Sequence, residues 1–74
     1  MKSDQLSSCH IGKNLKKLRF LHNMTQEDLA EKISVSKSTL SHYEIGRRLP
    51  DIDILLTISN IFDISLNEIL INPV

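Results

Sequence analysis

Residues 25–44 constrain this chain more than any other stretch. Thr-Gln-Glu-Asp-Leu-Ala-Glu-Lys-Ile is followed by Ser-Val-Ser and then by Lys-Ser-Thr-Leu-Ser-His-Tyr-Glu. The pattern predicts two short helices joined by a tight turn. Thr25 is a good N-cap, and Asp28 can return a bond to its backbone in the manner of a capping box. Leu29, Ala30 and Ile33 lay a narrow apolar stripe on an otherwise charged helix. Ser36 caps the second helix, on which Leu40 and Tyr43 face inward. Left outward are Lys37, Ser38, Thr39, Ser41 and His42. These are short or flexible donors and acceptors, not the Glu/Lys pairs of an ordinary solvated helix. Such a face suits the base edges of a DNA major groove.

Gln26, Leu29-Ala30, Ile33-Ser34-Val35-Ser36, Leu40, Glu44 and Gly46 together resemble the helix-turn-helix of the Cro/phage-repressor (Xre-like) family. The likeness runs from about Ile11 to Leu70, and so many simultaneous agreements weigh more than one short motif. It implies an all-α, compact five-helix domain of the lambda-repressor-like kind, with the third helix in the major groove. It also implies a sequence-specific regulator of transcription, a repressor in the first instance. Such a protein acts as a homodimer on a palindromic operator in double-stranded DNA. The resemblance also pairs an arginine on the first helix, here Arg19, with the glutamate ending the recognition helix, here Glu44. Arg19 is then a structural residue rather than a DNA contact.

Net charge is zero, which by itself argues against a polyanionic partner, but the charges are segregated. Residues 1–50 hold all nine Lys and Arg against five acids, a net +4; residues 51–74 hold four acids and no Lys or Arg, a net −4. That polarity would lead the basic half toward nucleic acid. Seventy-four residues make one domain, of a size that buries roughly 60% of its unfolded surface. No stretch reaches the about 20 apolar residues needed to span a bilayer, and no signal peptide is visible. Cys9 is alone and cannot form an internal disulfide, which fits a reducing cytoplasm; the resemblance implies a bacterial or phage-encoded protein. Cys9 beside His10 is no activated dyad, the three histidines lack ligand spacing, and no glycine-rich phosphate loop exists. Neither an enzyme nor a cofactor is expected.

Along the chain, residues 1–9 read as a loose arm, 10–71 as the folded domain and 72–74 as a tail. The first helix is expected from about Ile11 to His22, with Ile11, Leu15 and Leu18 inward and Leu21 or His22 extending the stripe. Asn23 stands where a left-handed residue ends a helix. Many relatives of the resembled family carry Gly where this chain has Ser34. Gln26, Ser36, Arg47 and Arg48 are the candidate phosphate contacts, since backbone contacts supply most non-specific affinity. Pro50 stops the third helix and Asp51 caps the fourth, expected from Ile52 to Phe62. Ser65-Leu-Asn-Glu68 is a capping box for a short fifth helix.

The fourth helix is unusually apolar. A stripe of Ile52, Leu55, Ile58 or Ser59 and Phe62 suffices for a small core. That leaves Ile54, Leu56, Ile61, Ile69 and Ile71 as a surplus in the acidic half. Either these residues are exposed singly, as is common, or they form a homodimer interface. Two classes of function therefore stand: a dimeric DNA-binding regulator, or a module of the same fold that holds a partner protein.

Overall fold

The computed structural model describes residues 8–70. Five helices follow one another: α1 (Ser8–Leu21), α2 (Gln26–Lys32), α3 (Lys37–Glu44), α4 (Ile52–Phe62) and α5 (Leu66–Leu70). Helix α1 begins three residues ahead of Ile11, so the backbone of Ser8 and Cys9, placed in the arm by the sequence, is helical. Apolar spacing marks only where a helix meets the core, and nothing between Ser8 and Ile11 stops it from extending further.

Local chemistry sets most of the other boundaries. Thr25 Oγ1 accepts from the Asp28 N–H while Asp28 Oδ2 accepts from the Thr25 N–H, both at 3.0 Å. Ser36 and Asp51 accept from Thr39 N–H and Ile54 N–H at 3.0 Å, and Ser65 with Glu68 repeats the reciprocal box. Helix ends turn through left-handed residues at Asn23 (φ 56), Ser34 (φ 61), Gly46 (φ 82) and Asp63 (φ 55). Ser34 holds a conformation that costs an L-residue roughly 1–2 kcal/mol, in a turn closed by Val35 N–H donating to Ala30 O at 3.0 Å. Asp63 at the end of α4 was not foreseen.

The bonds from Thr25, backbone first and hydroxyl second, hold the Asp28 carboxyl below its ordinary 3.8. A carboxyl depressed in the folded state adds stability above its unfolded pKa and loses it as pH falls through the folded one. The domain is therefore expected to lose this contribution on acidification below 3.8. Asp28→Asn, which keeps an acceptor but has no charge to lose, should flatten that part of a stability-versus-pH curve. An acid limb identical in both proteins contradicts it.

The core collects one face of every helix. Leu15, Leu29, Leu40, Ile58 and Ile69 are wholly enclosed, with Ile11, Leu18, Ala30, Ile33, Tyr43, Leu55 and Phe62 around them. Helix α1 is the spine: it packs on α3 and on α5, while α2 packs on α3 and α4 on α5. Two details tighten the spine. Asn14 is buried, and its amide donates to the carbonyls of Ile69 at 2.8 Å and Glu68 at 3.2 Å. Gly12 lies so close to α3 that a Cβ there would sit 2.3 Å from the Tyr43 carbonyl oxygen.

The apolar residues do not all fall where the sequence puts them. Ile69 is fully buried between α1 and α4 and cannot serve a dimer interface, because α5 closes the base of the core. Ile52, assigned to the core stripe, is 57% exposed, since it opens α4 directly after its cap. Ile54 and Ile61 are half-buried against the core, and Leu56 is exposed. Neither Leu21 nor His22 extends the inner stripe: both are exposed, although the His22 ring, just past the end of α1, lies 4.8 Å from that of Phe62. Ile71 lies outside the described residues.

Candidate nucleic-acid interface

Helix α3 owes its orientation to one buried carboxylate. Glu44, at its last position, accepts from Arg19 Nε at 2.8 Å and from Arg19 Nη2 at 3.1 Å, a two-pronged bond from α1. Gln26 Nε2, at the start of α2, donates to the same carboxylate at 3.0 Å. The remaining Arg19 amine donates to the Met24 carbonyl at 3.1 Å and fixes the α1–α2 turn. Three helices thus meet on Glu44, and both Arg19 and Glu44 are buried. Charge-assisted bonds of this geometry are among the stronger ones.

With Leu40 and Tyr43 locked inward, Lys37, Ser38 and His42 are exposed, and Thr39 and Ser41 half-exposed. Helical spacing lines up Lys37 with Ser41 and Ser38 with His42. Ser36 spends part of its capacity locally: its hydroxyl accepts from the Thr39 N–H and donates to Thr39 Oγ1 at 2.9 Å. The Thr39 hydroxyl proton is left to turn outward.

After α3 the chain reverses at Gly46. Arg47 N–H donates back to His42 O at 2.9 Å and Gly46 N–H to Tyr43 O at 3.3 Å, so the loop leaves the helix on a fixed path. Arg47 and Arg48 are exposed on it. Gln26 holds a second role that sequence reading missed. Its amide is half-buried and tied to Glu44, with one N–H and the carbonyl oxygen still to offer. The exposed Ile45 and Leu49, flanking the arginines, were also not singled out; isolated apolar residues in a loop give no periodic signal.

No described helix is long and apolar enough to cross a membrane. A helix-turn-helix family model matches residues 15–69. The HTH-type transcriptional regulator YqaE of Bacillus subtilis is 41% identical over 60 residues, 81% of this chain and 52% of that protein. This chain spans about half the length of the curated bacillar regulators it matches. The restriction-modification controller protein C.AhdI of Aeromonas hydrophila superposes with a TM-score of 0.77 at 25% identity, over 85% of this chain and 96% of that one. The biofilm master regulator SinR, solved in complex with DNA, gives 0.72 at 33% identity, over 80% and 95%.

Proposed function

This chain belongs to the helix-turn-helix family, and from that membership we propose that it is a repressor holding a near-palindromic DNA operator as a two-fold homodimer. The observation that carries the reading is α3: a face of Lys37, Ser38, Thr39, Ser41 and His42, set outward by the buried Arg19–Glu44–Gln26 network. The likeness to C.AhdI, to SinR bound to DNA and to HTH-type regulators supports it. Repression needs no further chemistry, because a protein seated on an operator excludes other proteins from it.

In this reading the N-terminal part of α3 enters the major groove. Lys37, Ser38 and His42 take base edges, with Thr39 and Ser41 at bases or sugar-phosphate. Arg47 and Arg48 clamp the backbone, joined by Gln26 and Ser36. Glu44 takes up one of Gln26's donors before DNA arrives, so the amide meets a phosphate already positioned. Selection of bound sequences from a random DNA pool gives the operator, and variants then sort the contacts. Lys37→Ala and Ser38→Ala should change which operator variants are preferred, by about 1–3 kcal/mol for a lost bidentate contact and less for a hydroxyl. Arg47→Ala and Arg48→Ala should weaken all sequences alike and lower the salt slope by about one each. A reversed pattern between the two groups would exchange their roles.

The dimer rests on α4. Ile52 and Leu56 stand one turn apart, 57% and 46% exposed, with exposed Leu49 just before them. At about 100° per residue, Ile54 and Ile61 lie on the opposite flank of the helix from Leu56. The two-fold contact is therefore centred on Ile52 and Leu56, with Ile54 and Ile61 contributing only marginally. Two-fold binding to a palindromic operator requires the two recognition helices to sit about 34 Å apart, one turn of duplex. Asp53 and Asp63 are exposed at its rim, where like charges oppose pairing and salt screens them. Sedimentation should show two chains per operator, and Leu56→Asp should reduce this to one. Single occupancy by the wild type rules out the two-fold reading.

A further inference from the structure

Helix α1 has a second stripe that neither the core nor the DNA face absorbs. Lys13, Lys16, Lys17, Phe20 and Leu21 follow one another at helical spacing and line a shallow groove of about 400 Å³ on its outer side. Phe20 and Leu21 are each 62% exposed. An ordinary solvated basic face has no need of a phenylalanine. Here the Arg19 guanidinium carbon stands 4.8 Å from the Phe20 ring centroid, a cation–π contact that steadies the ring. The lysine stems add apolar length beneath their charged heads.

Immediately beyond the turn, a second groove of about 470 Å³ is lined by Met24, Asp28, Glu31 and Lys32. Exposed Glu27 lies next to it on the same helix. This side of α2 carries three acids against one lysine and would repel a phosphate backbone, so its partner is not DNA. The two grooves are neighbours, because Met24 is folded back on α1 by its N–H bond to the Arg19 carbonyl at 2.9 Å.

We propose that this side of the molecule pairs with the same side of a second copy, the Lys13–Leu21 stripe of each seated in the Met24–Lys32 groove of the other. Reciprocal placement closes the contact on itself. It sets lysines against Glu27, Asp28 and Glu31 in both directions, the complementarity that fixes register in protein pairs. It also brings Phe20 against the Met24 thioether, a favourable sulfur–aromatic pairing. The contact leaves α3 and α4 uncovered, so it joins one operator-bound dimer to the next. That consequence on DNA rests on the reading above; the contact itself does not.

The experiment uses charge reversal in the full chain, with Leu56→Asp present throughout so that pairing through α4 does not register. One protein carries Lys13→Glu, Lys16→Glu and Lys17→Glu, and the other Glu27→Lys and Glu31→Lys; Asp28 is left to cap α2. Sedimentation at low salt should show pairing by the parent, none by either reversed protein, and pairing restored in their equimolar mixture. Phe20→Ser should weaken pairing by about tenfold or more, as truncating an aromatic anchor within an interface does. Phe20→Ser should leave affinity for a single operator unchanged, and the lysine variants should keep the salt slope of operator binding, their lost basic charge acting only through the long-range field. A mixture that pairs no better than its components overturns the proposal. So does a Phe20→Ser protein that pairs as the parent does. Lysine variants that bind a single operator more weakly, with a reduced salt slope, would make the stripe a phosphate contact instead.

Discussion

Gly12→Ala is expected to destabilise the domain severely and to abolish operator binding with it. Helix propensity alone favours the substitution by about 1 kcal/mol, so the predicted sign comes entirely from packing. The added Cβ would stand 2.3 Å from the Tyr43 carbonyl oxygen and 2.5 Å from that of Glu44. Both are backbone atoms in the last turn of α3 and have no rotamer to escape into. Relief requires α1 and α3 to move apart, which lifts Leu40 and Tyr43 off the core and disturbs the Arg19–Glu44 bond. Overpacking in a dense core costs about 1–3 kcal/mol and occasionally more, and a domain this small rarely holds more than about 3–5 kcal/mol in all. Urea denaturation measures the loss directly. A Gly12→Ala protein as stable as the wild type would mean that the two helices separate freely.

Removing either partner of the Arg19–Glu44 pair is expected to cost about 3–5 kcal/mol, the usual result of stranding a buried charge. Arg19→Ala leaves the Glu44 carboxylate buried with the Gln26 amide as its remaining side-chain donor. Glu44→Ala leaves the guanidinium with the Met24 carbonyl. Changing both to apolar residues of similar size, Arg19→Met with Glu44→Leu, should be less damaging than either single loss, because no charge is then left unpaired. The double variant should nevertheless bind DNA poorly, since Gln26 loses its anchor. Equilibrium unfolding of the two Ala variants and the Met/Leu variant decides the first point. If the three differ little from the wild type, the network contributes nothing to stability.

Much of the architecture was legible because it is written locally. Thr25 with Asp28, Ser36, Asp51, and Ser65 with Glu68 announce helix starts through side-chain chemistry that depends on nearest neighbours alone. The outward set on α3 could be listed once Leu40 and Tyr43 were given to the core. What stayed hidden depends on which helix meets which. Ile69 looked like surplus because a five-residue helix has too little periodicity to declare a side. Ile52 looked like core because the helical repeat takes no account of where a helix first touches its neighbours. Nothing local marks Gly12, since only the closeness of α3 makes a side chain there intolerable. Phe20 and Leu21 belong to a regular outer stripe that could have been counted, but the lysines at its head suit a solvated face and a phosphate contact equally well.

The Asn14 amide has a consequence for how the two halves of the domain come apart. A helix of five residues cannot stand alone in water. Helix α5 persists because Ser65 and Glu68 satisfy its beginning, Ile69 is enclosed, and Asn14 gathers two of its carbonyls. Only the first of these holds without α1 in place, whereas α1, α2 and α3 are knotted together through Glu44. The last helix is thus the natural place for partial opening. It can melt and reform while the reading head stays whole, so amide protons there should exchange with solvent ahead of those in α3.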